Sequence, residues 1–133
     1  MEDLRELEFI LYVKNQGKSK YFYEQLLDIN PCLDVPGMTE FRFTNGVKLG
    51  LMPENGIVSL LKNKIPHPAL ANEVPRCELY LKVSDAQAYM QRGIQLGARE
   101  ISKLEKRDWG DCVGYLADFD GHIVAFAENA PPQ

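Results

Sequence analysis

Apolar and polar positions along this chain fall into short alternating runs separated by helical spacings, and the series occurs twice. Leu7–Asn15 (LEFILYVKN) and Cys77–Asp85 (CELYLKVSD) read as strands: apolar, rich in β-branched and aromatic residues, ended by a polar pair. Glu8 matches Glu78, Leu11 matches Leu81 and Val13 matches Val83, at a constant offset of 70 residues. Each run leads into a helical pattern. In the first, Phe22, Leu26 and Ile29 recur at helical spacing; in the second, Ala86, Tyr89, Gly93, Leu96 and Gly97 line one face. Ser84 and Asp85 offer N-cap oxygens for the second helix.

Three β-like runs follow each helix. In the first half they are Thr39–Thr44, Val47–Met52 and Ile57–Leu61, with hairpin turns expected at Asn45-Gly46 and Asn55-Gly56. In the second half they are Ala98–Lys103, Val113–Ala117 and His122–Ala127, with a turn at Asp120-Gly121. The chain therefore reads as two copies of strand–helix–strand–strand–strand, an α+β arrangement. Neither copy buries its sheet alone, so the two are expected to form a single domain over residues 1–133. The first module spans about 5–62, a proline-containing connector about 63–75, and the second module about 76–129.

Alternation assigns the faces of the two repeat strands. Leu7, Phe9, Leu11 and Val13, and likewise Cys77, Leu79, Leu81 and Val83, form apolar faces expected to pack under the helices. The opposite faces carry Glu8, Ile10 and Tyr12 in one copy and Glu78, Tyr80 and Lys82 in the other. A solvated sheet face and a polar, aromatic-lined ligand cavity both produce this mixture.

Composition narrows the function. A formal charge of −4 argues against a nucleic-acid partner, which needs a basic footprint. No apolar run is long enough to cross a bilayer and no signal-like stretch opens the chain, so a cytoplasmic protein with no membrane partner is expected. Cys32, Cys77 and Cys112 are odd in number and form no CxxC pair, which reads as free thiols. With only His67 and His122, a histidine-rich metal centre is excluded by count. No glycine-rich phosphate loop occurs.

The segments LEFILYVKN, YFYEQLLDI, CELYLKVSD, AQAYMQRGIQLGA and RDWGDCVGYLADFDGHIVAFAE resemble, in order and spacing, the glyoxalase/bleomycin-resistance/dioxygenase (vicinal oxygen chelate) superfamily. FYEQLLDI and WGDCVGYLADFDGH carry most of the resemblance, which covers nearly the whole chain. It implies two βαβββ modules with curved mixed sheets around a cavity, and a homodimer. In the metal-dependent members, ligands come from the first strand of each module, here Glu8 and Glu78. A further glutamate lies four residues after the turn glycine, here Ala125. A methyl group cannot ligate, and both first-strand positions are glutamate where histidine or glutamine is common. The ending is closer to the metal-free, antibiotic-sequestering branch.

The expected ligand pocket comprises Glu8, Tyr12, Glu78, Tyr80 and Trp109. If the two glutamates share a cavity, repulsion and desolvation raise the pKa of one. They could then act as acid and base, hold a divalent cation, or face a cationic ligand, Lys82 or Arg107. Trp109, the only tryptophan, sits in a charged turn, where an indole caps a pocket or interface more readily than it fills a core. His122 reads as a strand-edge residue, His67 as a connector residue without a partner, and Cys112 as an unactivated thiol. These residues point to binding of a small cationic or aromatic organic molecule, for sequestration or sensing, without a cofactor. The alternative is a metal-dependent lyase, isomerase or dioxygenase of the glyoxalase type using Glu8 and Glu78.

Overall fold

The computed structural model of the chain describes residues 3–130. It resolves into two compact units that meet in sequence at Asn72 and Glu73, within the expected connector. The first contains β1 (Leu7–Val13), α1 (Gln16–Leu27), β2 (Leu33–Val35), β3 (Met38–Arg42), β4 (Val47–Pro53), α2 (Glu54–Leu60) and a 3-10 turn at Pro68–Ala71. The second contains β5 (Glu78–Lys82), α3 (Ala86–Gln95), β6 (Arg99–Lys106), β7 (Asp111–Ala117) and β8 (Ile123–Asn129). Each unit has one four-stranded mixed sheet, in the orders β1-β4-β3-β2 and β5-β8-β7-β6. The β1/β4 and β5/β8 pairs are parallel and the other pairs antiparallel. This is the α+β pair of βαβββ modules that the repeat predicts. No helix among the described residues is long and apolar enough to cross a membrane.

In the first unit, α1 starts where Asn15 Oδ1 accepts the Lys18 amide at 3.0 Å and stops at Asp28, a left-handed residue with φ of 53°. Ile29, expected inside the helix, therefore lies just beyond it. Phe22, Tyr23 and Leu26 are buried on the helix, and Phe41, Leu49 and Leu51 on the sheet. Each such side chain contributes roughly 1.5–3 kcal/mol through burial. Leu11 and Val13 join this core, but Leu7 and Phe9 are exposed at the start of β1, an edge strand. The helix packs chiefly on β3 and β4.

Two features of the first module depart from the pattern reading. Asn45-Gly46 forms the expected tight turn, with φ of 62° and 73°. Asn55-Gly56 does not: Ile57–Leu61 was expected as a strand, but residues 54–60 form α2. Pro53 precedes the helix with φ of −57°, Glu54 opens its first turn, and Ile57 is buried one turn later. A five-residue apolar run fits either period, and here the helix wins. Strand β2 was missed because LDV is too short to show alternation. It is held by Gln16, whose Nε2 donates to Val35 O and Thr39 Oγ1 at 2.9 Å each, while Oε1 accepts from Gly37 N at 3.0 Å.

In the second unit, Asp85 caps α3 by accepting the Ala88 amide at 3.2 Å, as predicted. Glu128 on β8 accepts the Ala86 amide at 2.8 Å and ties the helix start to the sheet. Met90 is buried over Gly114, where a Cβ would come within 2.7 Å of its sulfur. Tyr89 stacks on Phe126 at 5.0 Å. On the first strand of this module Cys77 is exposed and Leu79 and Leu81 are only half-buried.

Candidate functional site

The candidate residues separate into two groups by unit. In the first, Glu8 and Tyr12 share the face of β1 turned away from α1. Register places Glu8 beside Lys48 on β4, and Glu40 on β3 beside Gly50. Lys48 Nζ lies 2.9 Å from Glu6 Oε1 and 3.1 Å from Glu40 Oε1, and Arg42 Nη1 lies 2.8 Å from Glu6 Oε2. Two cations are thereby matched to Glu6 and Glu40, and Glu8 is the carboxyl left over. Its Oε2 is buried without a hydrogen-bond partner among the described residues. It lies over the Cα of Gly50, in space that any side chain there would invade.

Electrostatics follow this geometry. Burial first, then a hydrogen bond to Glu40 and the charge of Glu40, push the Glu8 carboxyl up to about 7, against the opposing charge of Lys48. The same hydrogen bond, with Lys48, holds Glu40 below the usual carboxylate range. Glu6 and Glu40 raise the Lys48 ammonium. The sequence reading paired Glu8 with Glu78, Lys82 or Arg107; in this unit its neighbour is Glu40. Alternating charges in TEFRF and VKLGL carried that signal, but only the β3–β4 register makes it legible. Tyr12 is half-buried on the same face.

The second unit brings together Tyr80 and Trp109, with Lys82 and Asp111. Tyr80 donates its hydroxyl to Asp111 Oδ2 at 2.6 Å and accepts from Trp109 Nε1 at 2.8 Å. Lys82 Nζ lies 3.2 Å from Asp111 Oδ1. Both rings remain exposed, Tyr80 by 40% and Trp109 by 59%. Burial and the Asp111 hydrogen bond raise the Tyr80 hydroxyl. That hydrogen bond and Lys82 lower Asp111. Asp111, missed in the sequence, belongs to the charged turn that suggested Trp109. Glu78 is exposed at the start of β5, on the face that carries Tyr80. Lys82 is matched to Asp111, and Arg107 bonds within its own hairpin.

Metal-ligating capacity is limited. The orphaned Glu8 oxygen suits a cation or a proton. Ala125, at the position where the resemblance expects a glutamate, is fully buried, in register with Tyr80 and Tyr115. The residues present thus do not complete that ligand set. Asp118, Asp120 and His122 place ligand atoms within 4.8 Å of one another. One oxygen of Asp118 is already engaged by the Asp120 and His122 amides at 2.9 and 2.8 Å, shaping the turn before β8. His67, expected to lack a partner, lies 2.6 Å from Asn55 Oδ1 through Nε2 and accepts the Ala69 amide at Nδ1. Cys32, Cys77 and Cys112 are free thiols.

Comparison with known proteins places this architecture. The family model described as "Glyoxalase-like domain" matches residues 7–130. The chain belongs to that family. Among solved structures, the glyoxalase-like chain is similar to a glyoxalase-related enzyme from Fulvimarina pelagi. The TM-score is 0.79 at 20% identity, covering 92% of this chain and 86% of the other. It is also similar to a glyoxalase/bleomycin resistance protein/dioxygenase family enzyme from Burkholderia phytofirmans. There the TM-score is 0.78 at 12% identity, covering 92% and 97% of the two chains. These likenesses establish the fold of the glyoxalase-like chain. An uncharacterized protein of Mycobacterium bovis is 32% identical over 76 residues, covering 51% of this chain and 49% of its own length. The glyoxalase-like chain thus spans about half the length of the curated relatives it matches.

Proposed function

We propose that this glyoxalase-like protein binds a small aromatic organic molecule, sequestering or sensing it without a transition metal. The observation that supports this is the hydrogen-bonded chain Trp109–Tyr80–Asp111–Lys82. It fixes two aromatic rings while leaving both exposed, so a ligand can stack on them at little further ordering cost. Glu78, exposed on the face of β5 that carries Tyr80, would add a modest preference for cationic ligands there, and the buried carboxyl of Glu8 a stronger one on the face of its own unit. We further expect a homodimer with an isologous interface; sedimentation at micromolar concentration showing only monomer contradicts it.

The second reading, a metal-dependent enzyme of the glyoxalase type, is favoured by one feature, the orphaned Oε2 of Glu8. Elemental analysis after extensive dialysis, combined with native mass spectrometry against cationic and neutral aromatic compounds, separates the two. The expected outcome is a stoichiometric adduct with an aromatic compound and no stoichiometric metal. About one zinc, nickel, manganese or iron per chain overturns the metal-free reading. No adduct with any aromatic compound overturns the binding reading.

A further inference from the structure

Strand β6 does not run evenly beside β7. Glu100 pairs with Leu116, Ser102 with Tyr115 and Glu105 with Val113. Two steps on β6 therefore oppose one on β7, and then three oppose two. Each shift adds one residue to β6, a bulge that interrupts the ladder and leaves backbone groups in need of partners. Arg107 reaches across this stretch. Its Nε and Nη2 donate to Val113 O at 3.2 and 2.8 Å. Nη2 also lies within bonding distance of Lys103 O, at 3.1 Å, and Ser102 Oγ, at 2.9 Å. The guanidinium carbon sits 5.2 Å from the centre of the Tyr115 ring, and Glu105 approaches Nη1 at 3.6 Å. One side chain thus spans both strands across the irregular stretch.

The hairpin tip begins at the same residue. Arg107 N donates to Asp111 O at 2.8 Å and Gly110 N to Arg107 O at 3.1 Å. Gly110 takes a left-handed φ of 100°. Trp109 and Asp111, the two residues that meet Tyr80, project from this five-residue tip. Their position depends on how the bulged strand below it is held.

We propose that Arg107 is the positioning residue of the aromatic site, locking the bulged β6–β7 hairpin so that Trp109 and Asp111 stay aligned with Tyr80. Its consequence for ligands rests on the proposed aromatic binding; the positioning itself is readable without a ligand. Lysine does not replace the guanidinium here. A single ammonium cannot present a planar fork to two carbonyls and a hydroxyl while stacking on a ring.

The test uses the full chain and its single tryptophan. Arg107→Lys, Ser102→Ala and Tyr80→Phe are compared with the parent by time-resolved anisotropy, which reads fast motion of the indole, and by near-ultraviolet dichroism. With Arg107→Lys, the amplitude of nanosecond indole motion should about double and the tryptophan dichroism should fall by about half, while far-ultraviolet dichroism stays native. Tyr80→Phe, which removes one hydrogen bond to the indole, should give a smaller change. An indole as immobile as the parent's in folded Arg107→Lys overturns the proposal. So does loosening in which the tyrosine bands collapse equally, because that is general destabilisation. If Arg107→Lys does not fold, Ser102→Ala decides: a small rise in indole motion supports the clamp and no rise overturns it. A binding arm uses proflavine, a planar aromatic cation, whose affinity should weaken about tenfold in Arg107→Lys. If proflavine does not bind the parent but the indole loosens in the variant, the clamp stands and the preference for a planar aromatic cation has failed.

Discussion

The polar faces of the two sheets begin from the same repeat and diverge in chemistry. On the first, β1, β3 and β4 assemble carboxylates and two cations, with Glu8 left unmatched over Gly50. On the second, β5, β7 and the turn that leads into β7 assemble a phenol, a carboxylate, an ammonium and an indole that satisfy one another. Their strand glycines differ likewise. Gly50 makes room for the Glu8 carboxylate, whereas Gly114 makes room for buried Met90 beneath α3. Duplication preserves backbone order, while the residue opposite each repeat position decides whether a face stores charge or presents rings.

Filling the two strand glycines separates the two faces most strongly. Gly114→Val should overpack the α3–β7 contact and cost about 1–3 kcal/mol. Gly50→Ala displaces chiefly the end of a flexible carboxylate and should cost less than half as much. Urea unfolding of both variants measures the difference; equal losses would mean that Gly50, too, supports a rigid contact.

The next effect depends on pH. The Glu8 carboxyl titrates at about 7 in the fold, against an ordinary value of 4.5. A raised carboxyl binds its proton more tightly when folded, so its stabilising contribution is complete below 4.5 and is lost as pH rises through about 7. The lowered Glu40 acts oppositely, losing its contribution as pH falls below the carboxylate range, outside this window. Stability should therefore decline between pH 5 and pH 8 by on the order of 1–2 kcal/mol, allowing for solvent screening. Glu8→Gln, a permanent mimic of the neutral acid, should flatten that stretch. Urea unfolding of parent and variant at both pH values checks this; parallel profiles contradict it.

The smallest stability effect should come from the second face. Tyr80→Phe keeps the ring and removes the hydroxyl between Trp109 and Asp111. The loss should be on the order of 1 kcal/mol or less by thermal unfolding. A much larger loss would make the network structural instead of a ligand platform.

The repeat, both βαβββ modules, the Asn45-Gly46 turn and the Asp85 cap were legible because periodicity and turn chemistry are local signals. Residues 54–60 were misread because a short apolar run after Asn-Gly fits two periods. Tyr80 and Trp109 were both singled out in the sequence, one from an alternating strand face and the other from a charged turn, and the structure joins them by a hydrogen bond. Glu40, Lys48, Gly50 and Asp111 were missed for one reason: their importance comes from register. Glu8 and Glu40 are 32 positions apart, and Tyr80 and Asp111 are 31. Arg107 was read only as a charge, because its work depends on bulges that no spacing reveals.

Whether the exposed Trp109–Tyr80 pair receives a ligand decides the proposed function. Fluorescence of the single tryptophan, titrated with cationic and neutral aromatic compounds, measures this directly. The prediction is a saturable change with at least one compound, weakened in Tyr80→Phe and, for cationic compounds, slightly in Glu78→Gln. If no compound perturbs Trp109 in the parent, aromatic binding at this pair is contradicted.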